Sequence, residues 1–161
     1  MSKKYEIIAK SKIISEGLTL YRIRALRDFG DVKKGDLGGW IEKESNLSHK
    51  DDSWVFDNAM VYENACISES ATVSGRAYIC GNACISGYAS VSGRSVISGN
   101  TFVSGNVIIT GSALFNGDFE VSGHTRITNS ARIISKYKKS KHYFRKNEKA
   151  TPAQPNPAHT F

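Results

Sequence analysis

The chain has 161 residues, 40% of them hydrophobic, and a formal net charge of +7. That length suits one domain and excludes two ordinary ones, and no stretch approaches the roughly 20 apolar residues needed to span a bilayer. The charge excludes less than its size suggests: residues 1–54 carry 11 basic and 9 acidic side chains, 55–135 carry 4 and 5, and the segment from Lys136 carries 7 against Glu148 alone.

The chain opens Met1-Ser2-Lys3-Lys4-Tyr5-Glu6, without the apolar run and cleavage site of a secretory signal. The expectation is a cytoplasmic protein. Tyr5-Glu6-Ile7-Ile8-Ala9 and the run from Leu18 to Ala25 read as two strands around a Ser15-Glu16-Gly17 turn. The segment from Phe29 to Trp40 is turn-rich. Ile41 and Leu47 then sit six apart, whereas Leu47 and Val55 are eight apart, which places a two-residue bulge at Asp51-Asp52. Residues 1–40 are expected to cap the fold that follows, with Phe29, Trp40 and Trp54 as plugs, because the open end of a repeat array must be covered.

From Val55 the sequence counts in sixes. The anchors are Val55, Val61, Ile67, Val73, Ile79, Ile85, Val91, Ile97, Val103, Ile109, Phe115, Val121, Ile127 and Ile133, and thirteen of the fourteen are Val or Ile. A helix would smear such a period around its cylinder. A small or apolar residue follows each anchor by four, as at Ala59, Ala77 and Ala113. Glycine follows by two at nine consecutive steps from Gly75 to Gly123.

Alternate residues of a strand share a face, so each hexad reads as a four-residue strand and a two-residue corner. Glycine reaches positive φ there without a Cβ penalty. Three hexads close a triangle of 18 residues. The expected fold is therefore all-β: a single-stranded parallel β-helix over 41–135, with an N-terminal β-hairpin cap over 1–40. Residues 136–161 form a basic, proline-containing tail, expected to be flexible.

The 18-residue stack sorts the outward positions into three faces. The first carries Met60, Tyr62, Tyr78, Cys80, Val96, Ser98, Leu114 and Asn116, and is the most apolar. A contiguous exposed apolar stripe marks an interface, so Met60, Tyr62, Tyr78, Val96 and Leu114 are the expected partner-binding residues. In the tail, Lys136, Lys138, Lys139, Lys141, Tyr143, Arg145 and Lys146 mix bases with aromatics. Such a segment suits phosphates and stacked bases, or an acidic protein surface, or no dedicated partner. The three cysteines, Cys66, Cys80 and Cys84, are odd in number and sparse, which argues against a disulfide framework. They do not supply four converging zinc ligands either. No metal and no cofactor are expected.

The run Ile79-Cys80-Gly81-Asn82-Ala83-Cys84 resembles the hexapeptide-repeat, left-handed β-helix proteins. The opening segment Gly35-Asp36-Leu37-Gly38-Gly39-Trp40-Ile41, followed by Asn46-Leu47-Ser48 and by the run from Trp54 to Ala59, is similar to that of a bacterial and prophage subgroup often labelled acyltransferases. The resemblance covers about residues 18–135 and implies left-handedness. Similar acyltransferases carry a general-base histidine, usually on a loop extruded from the coils, and bind the acyl donor between subunits of a trimer. Here residues 55–133 contain no insertion. His124 falls at a corner and His49 beside Asp51 and Asp52, which leaves both as catalytic candidates.

Three readings stay open. The leading one is a non-enzymatic binding or scaffold protein, phage- or prophage-encoded, docking a β-helix face or the tail onto a protein partner such as a host defence or regulatory protein. The second is an acyl-CoA-dependent acyltransferase of the hexapeptide class. The third is a structural component that self-associates as a trimer or dimer. Nucleic acid enters only through the tail, and no membrane partner is expected.

Overall fold

A computed structural model gives the structure of the chain and describes residues 2–128, 130–134 and 142–144. Among the described residues every regular element except one short 3-10 turn, Glu44–Asn46, is a strand. The coils form three parallel sheets. The first face stacks Met60–Val61, Tyr78–Ile79, Val96–Gly99, Leu114–Gly117 and Arg132–Ile134. The second stacks Cys66–Ile67, Cys84–Ile85, Phe102–Val103, Phe119–Val121 and the backbone of His142–Phe144. The third stacks Trp54–Val55, Thr72–Val73, Ser90–Val91, Ile108–Ile109 and Arg126–Ile127. Partners such as Val61↔Ile79, Ile79↔Ile97 and Ile97↔Phe115 all lie 18 residues apart.

The anchors fill the interior. Val55, Val61, Ile79, Ile97, Phe115 and Ile127 are fully buried, and the alanines of the repeat are buried beside them. Burying one such aliphatic side chain is worth about 1.5–3 kcal/mol, but a lone coil buries little, so stability resides in stacking. The backbone supplies the ladder between coils, as when the Met60 N–H donates to the Ala77 carbonyl at 2.9 Å. A side-chain ladder runs beside it down one corner. Lys43 Nζ donates to Asn64 Oδ1, Asn64 to Asn82, Asn82 to Asn100, and Asn100 to Asp118. Each amide there accepts from above and donates below, between a cation and a carboxylate.

All nine repeat glycines adopt positive φ, and the equivalent corners of the upper coils hold Asp57, Glu63 and Glu69 at φ 55, 56 and 56. These acids occupy a backbone region that favours glycine because their carboxylates reach the corner below. Asp57 accepts from the Gly75 N–H at 3.0 Å and Glu63 from the Gly81 N–H at 2.6 Å. Glu69 accepts from the Gly87 N–H in the same way.

Strands β1 (Tyr5–Ser15) and β2 (Leu18–Ala25) form the expected hairpin, and β3 (Leu37–Ile41) joins it to the first face. β1 pairs antiparallel with β2 and β2 with β3, whereas β3 runs parallel to Met60–Val61. The hairpin thus extends the first sheet to eight strands. Ile41 pairs with Val61 and Leu47 with Ile67, both 20 residues apart, while Val55 pairs with Val73, 18 apart. The two extra residues lie between Leu47 and Val55, and Asp51 takes φ 53 there. The bulge sits where the spacing placed it.

Two plugs of the cap are as expected. Phe29 and Trp54 are buried in the main core with ring centroids 5.2 Å apart. Trp40 is not a plug. Ile41 takes the inward position of β3, so its neighbour faces the outside of the sheet and packs with Leu20 and Met60 in a separate cluster. The Gly38-Gly39 step of the opening segment follows from close approach. A Cβ on Gly38 would stand 2.6 Å from Ile23 Cγ1 and 2.7 Å from the Val55 carbonyl oxygen, and one on Gly39 would stand 2.6 Å from the Ala59 carbonyl oxygen. Asn46 explains the rest of that motif. Its buried amide accepts from the Glu42 and Lys43 N–H groups and donates to the Glu63 and Ala65 carbonyls, tying the first coil to the second.

Candidate functional site

The apolar stripe on the first face divides in two. Met60, expected as a partner-binding residue, is 5% exposed, because Leu20 of β2 and Trp40 of β3 pack against it. Met60 is therefore part of the seam between cap and coils and does not line the surface, a placement set by the hairpin extending this sheet. Arg22 and Lys12 cover the indole, with the Arg22 guanidinium carbon 5.2 Å and Lys12 Nζ 5.8 Å from the Trp40 ring centroid. Tyr62 is half-buried at the margin of that seam. Tyr78 is 37% exposed, and Val96 and Leu114 are partly exposed below it. The stripe open to solvent thus starts at Tyr62 and runs down the coils. Burial, together with a hydrogen bond to the Cys80 thiol, raises the Tyr62 phenol above its ordinary range, and burial raises Cys80 in turn.

The two histidines sit in opposite settings. His49 packs into the cap. Its ring stacks on Tyr5 with centroids 4.1 Å apart and planes 11° apart, and its Nδ1 accepts the backbone N–H of Lys4 at 3.1 Å. The proton of a neutral imidazole then resides on Nε2, which is buried, lacks a hydrogen-bond partner and lies 3.9 Å from Glu44 Oε2. Burial holds the His49 pKa below its ordinary value. A general base needs a free lone pair within reach of the acceptor, and the one lone pair of neutral His49 is engaged by the backbone. In this arrangement His49 orders the cap. His124 stands exposed at a corner after Gly123, and among the described residues it has no hydrogen-bond or ion-pair partner.

The cap holds two residues that the periodicity could not flag. Lys4 is fully buried. Its ammonium donates to the carbonyls of Lys50, Asp51 and Ser53 at 3.3, 3.3 and 2.6 Å and to Ser53 Oγ at 3.1 Å, satisfying the backbone of the bulge. Burial, with the nearby Arg27, pulls its pKa down to about 8. Tyr5 is also fully buried, and its hydroxyl donates to the Leu47 carbonyl at 2.7 Å.

Of the tail residues, Tyr143 belongs to a strand whose backbone pairs with Glu120. Lys136, Lys138, Lys139, Lys141, Arg145 and Lys146 lie outside the described residues. Among the described residues no group of three or more His, Cys, Asp or Glu side chains is placed to hold a metal ion. No helix among them is long and apolar enough to cross a membrane.

Three in-register parallel sheets, an 18-residue coil and Val/Ile anchors at every sixth residue define the class of fold: a parallel β-helix built from six-residue repeats. In a 62-position alignment the chain is 31% identical to the "Uncharacterized acetyltransferase YdcK" of Escherichia coli (strain K12), with 34% of the chain and 19% of that protein covered. No protein-family model matches the chain.

Proposed function

We propose that the chain serves in acyl transfer, as a hexapeptide β-helix subunit that supplies one wall of a site completed by further copies. The observation that carries this reading is the 31% identity to an acetyltransferase-named protein, on a fold of the same repeat class. His124 is the base in this reading. Its ring is exposed and unengaged among the described residues, whereas the lone pair of His49 is occupied. His124 takes the proton of an acceptor hydroxyl or amine as that group attacks the thioester carbonyl, and the donor leaves as a thiolate. Removing a general base costs about 10²–10⁴-fold in rate. Thioester release from acetyl-coenzyme A, measured against a panel of amine and hydroxyl acceptors, should therefore fall at least about 100-fold in His124→Ala. No turnover by the wild type on any acceptor discards the reading, and a monomer by light scattering removes the shared site it needs.

A second reading is favoured by the open stripe of Tyr62, Tyr78, Val96 and Leu114. In it the β-helix is a rigid, non-enzymatic docking module for a protein partner, for example a host defence or regulatory protein if the chain is phage-encoded. Its test is capture of a partner from host lysate by wild type and by Tyr78→Asp with Leu114→Asp. A partner lost in the double variant supports docking on this face, and one retained there places the contact elsewhere.

A further inference from the structure

The repeat stacks two of the three cysteines directly on one another. Cys66 and Cys84 occupy equivalent outward positions on the second face, and the parallel register pairs them. Cys66 Sγ donates to Cys84 Sγ across 2.8 Å, roughly 0.8 Å beyond a disulfide bond of about 2.05 Å. Neighbouring strands of a sheet lie about 4.8 Å apart, inside the Cα window of about 4.4–6.8 Å that a disulfide accepts. Both side chains are half-buried and reachable by a small molecule. The third cysteine, Cys80, lies on the first face, away from this pair, so it serves as an internal reference.

We propose that Cys66 and Cys84 are an oxidant-responsive modification site, closing to a disulfide that staples two consecutive coils when a two-electron oxidant of the peroxide class reaches them. Burial and the hydrogen bond to Cys84 push the Cys66 thiol up. Cys84 sulfur forms a bond to one peroxide oxygen as the O–O bond breaks, and the departing hydroxide takes the Cys84 proton to become water. Cys66 sulfur then attacks the resulting sulfenic sulfur. The S–S bond forms, the S–O bond breaks, and the second hydroxide leaves as water with the Cys66 proton. Two thiols and one peroxide give one disulfide and two waters, with two electrons passing from sulfur to oxygen. The register has already brought the sulfurs together, so closure asks for side-chain rotation and a small local approach of the two strands. A free dithiol reverses it by exchange.

The test uses the full chain, reduced, freed of reductant and exposed to stoichiometric hydrogen peroxide, with thiols then counted under denaturing conditions. Titratable thiols should fall from three to one, and a dithiol should restore all three. Cys80→Ser should give the same intrachain link, mapped by mass spectrometry between the tryptic peptides either side of Arg76. Cys66→Ser and Cys84→Ser should each abolish it, with far-UV circular dichroism reporting that the β-helix is retained. Cys84 in Cys66→Ser should stop at sulfenic acid with one equivalent of peroxide and proceed to sulfinic acid with a second. Links that include Cys80, links between chains, loss of thiols with no link, or three thiols untouched would each overturn the proposal.

Discussion

Replacing Gly99 by alanine separates the strain of a corner from the stacking of coils. Gly99 sits at φ +70, and a Cβ built there would stand 2.5 Å from the Gly117 backbone nitrogen and 2.8 Å from its carbonyl oxygen. Those neighbours are backbone and belong to the next coil, so the clash is relieved only by prising coils apart. Gly17, in the hairpin turn, has a comparable φ of +80, but nothing lies within 4 Å of its Cβ position. Both substitutions incur the left-handed penalty of about 1–2 kcal/mol. Gly99→Ala adds an overpacking cost of about 1–3 kcal/mol, for a total of about 2–5 kcal/mol. Urea unfolding followed by the fluorescence of buried Trp54 and by circular dichroism gives the difference between the variants. Equal destabilisation, within about 0.5 kcal/mol, would mean that no coil lies beneath Gly99, and the stacking argument would fail.

Three further outcomes follow from the cap. Lys4→Met keeps the aliphatic stem but orphans the carbonyls of Lys50, Asp51 and Ser53; an unmet buried group costs about 1–3 kcal/mol, and the thermal midpoint should fall accordingly. Asn46→Ala removes four hydrogen bonds from a fully buried position, so a loss on the order of 3 kcal/mol is expected in the same assay. His49 has a folded pKa below its ordinary 6.5, so the unfolded chain binds more protons between the two values. Its contribution is complete above about pH 6.5 and is lost as pH falls through the folded value. Thermal midpoints from pH 7 down to 5 should show that slope in the wild type, and a flatter one in His49→Phe, which keeps the ring and loses the acceptor.

The coils were legible because their determinants are local and repeated. A period of six, with Val or Ile inward and glycine at the corner, leaves a strand one way to face a dry interior. Even the bulge before Val55 could be read, since a spacing of eight between Leu47 and Val55 has to be absorbed somewhere. The cap was legible only as two strands and a turn. Lys4 looks like any lysine near a chain start, and its burial depends on carbonyls 46 to 49 residues away. Met60 occupies a regular outward position, and only the hairpin's continuation of the first sheet encloses it. His49 and His124 illustrate the same limit at the candidate site. Adjacent acids drew attention to His49, yet a backbone N–H from the opposite end of the cap decides what its ring can do.

Through-space proton contacts in the isotopically labelled protein test the stacking most directly. Stacked coils require contacts between Val61 and Ile79, Ile79 and Ile97, and Ile97 and Phe115, with amide protons of the same coils slow to exchange. Contacts concentrated at separations other than eighteen residues, or rapid exchange at Ile79 and Ile97, would contradict it.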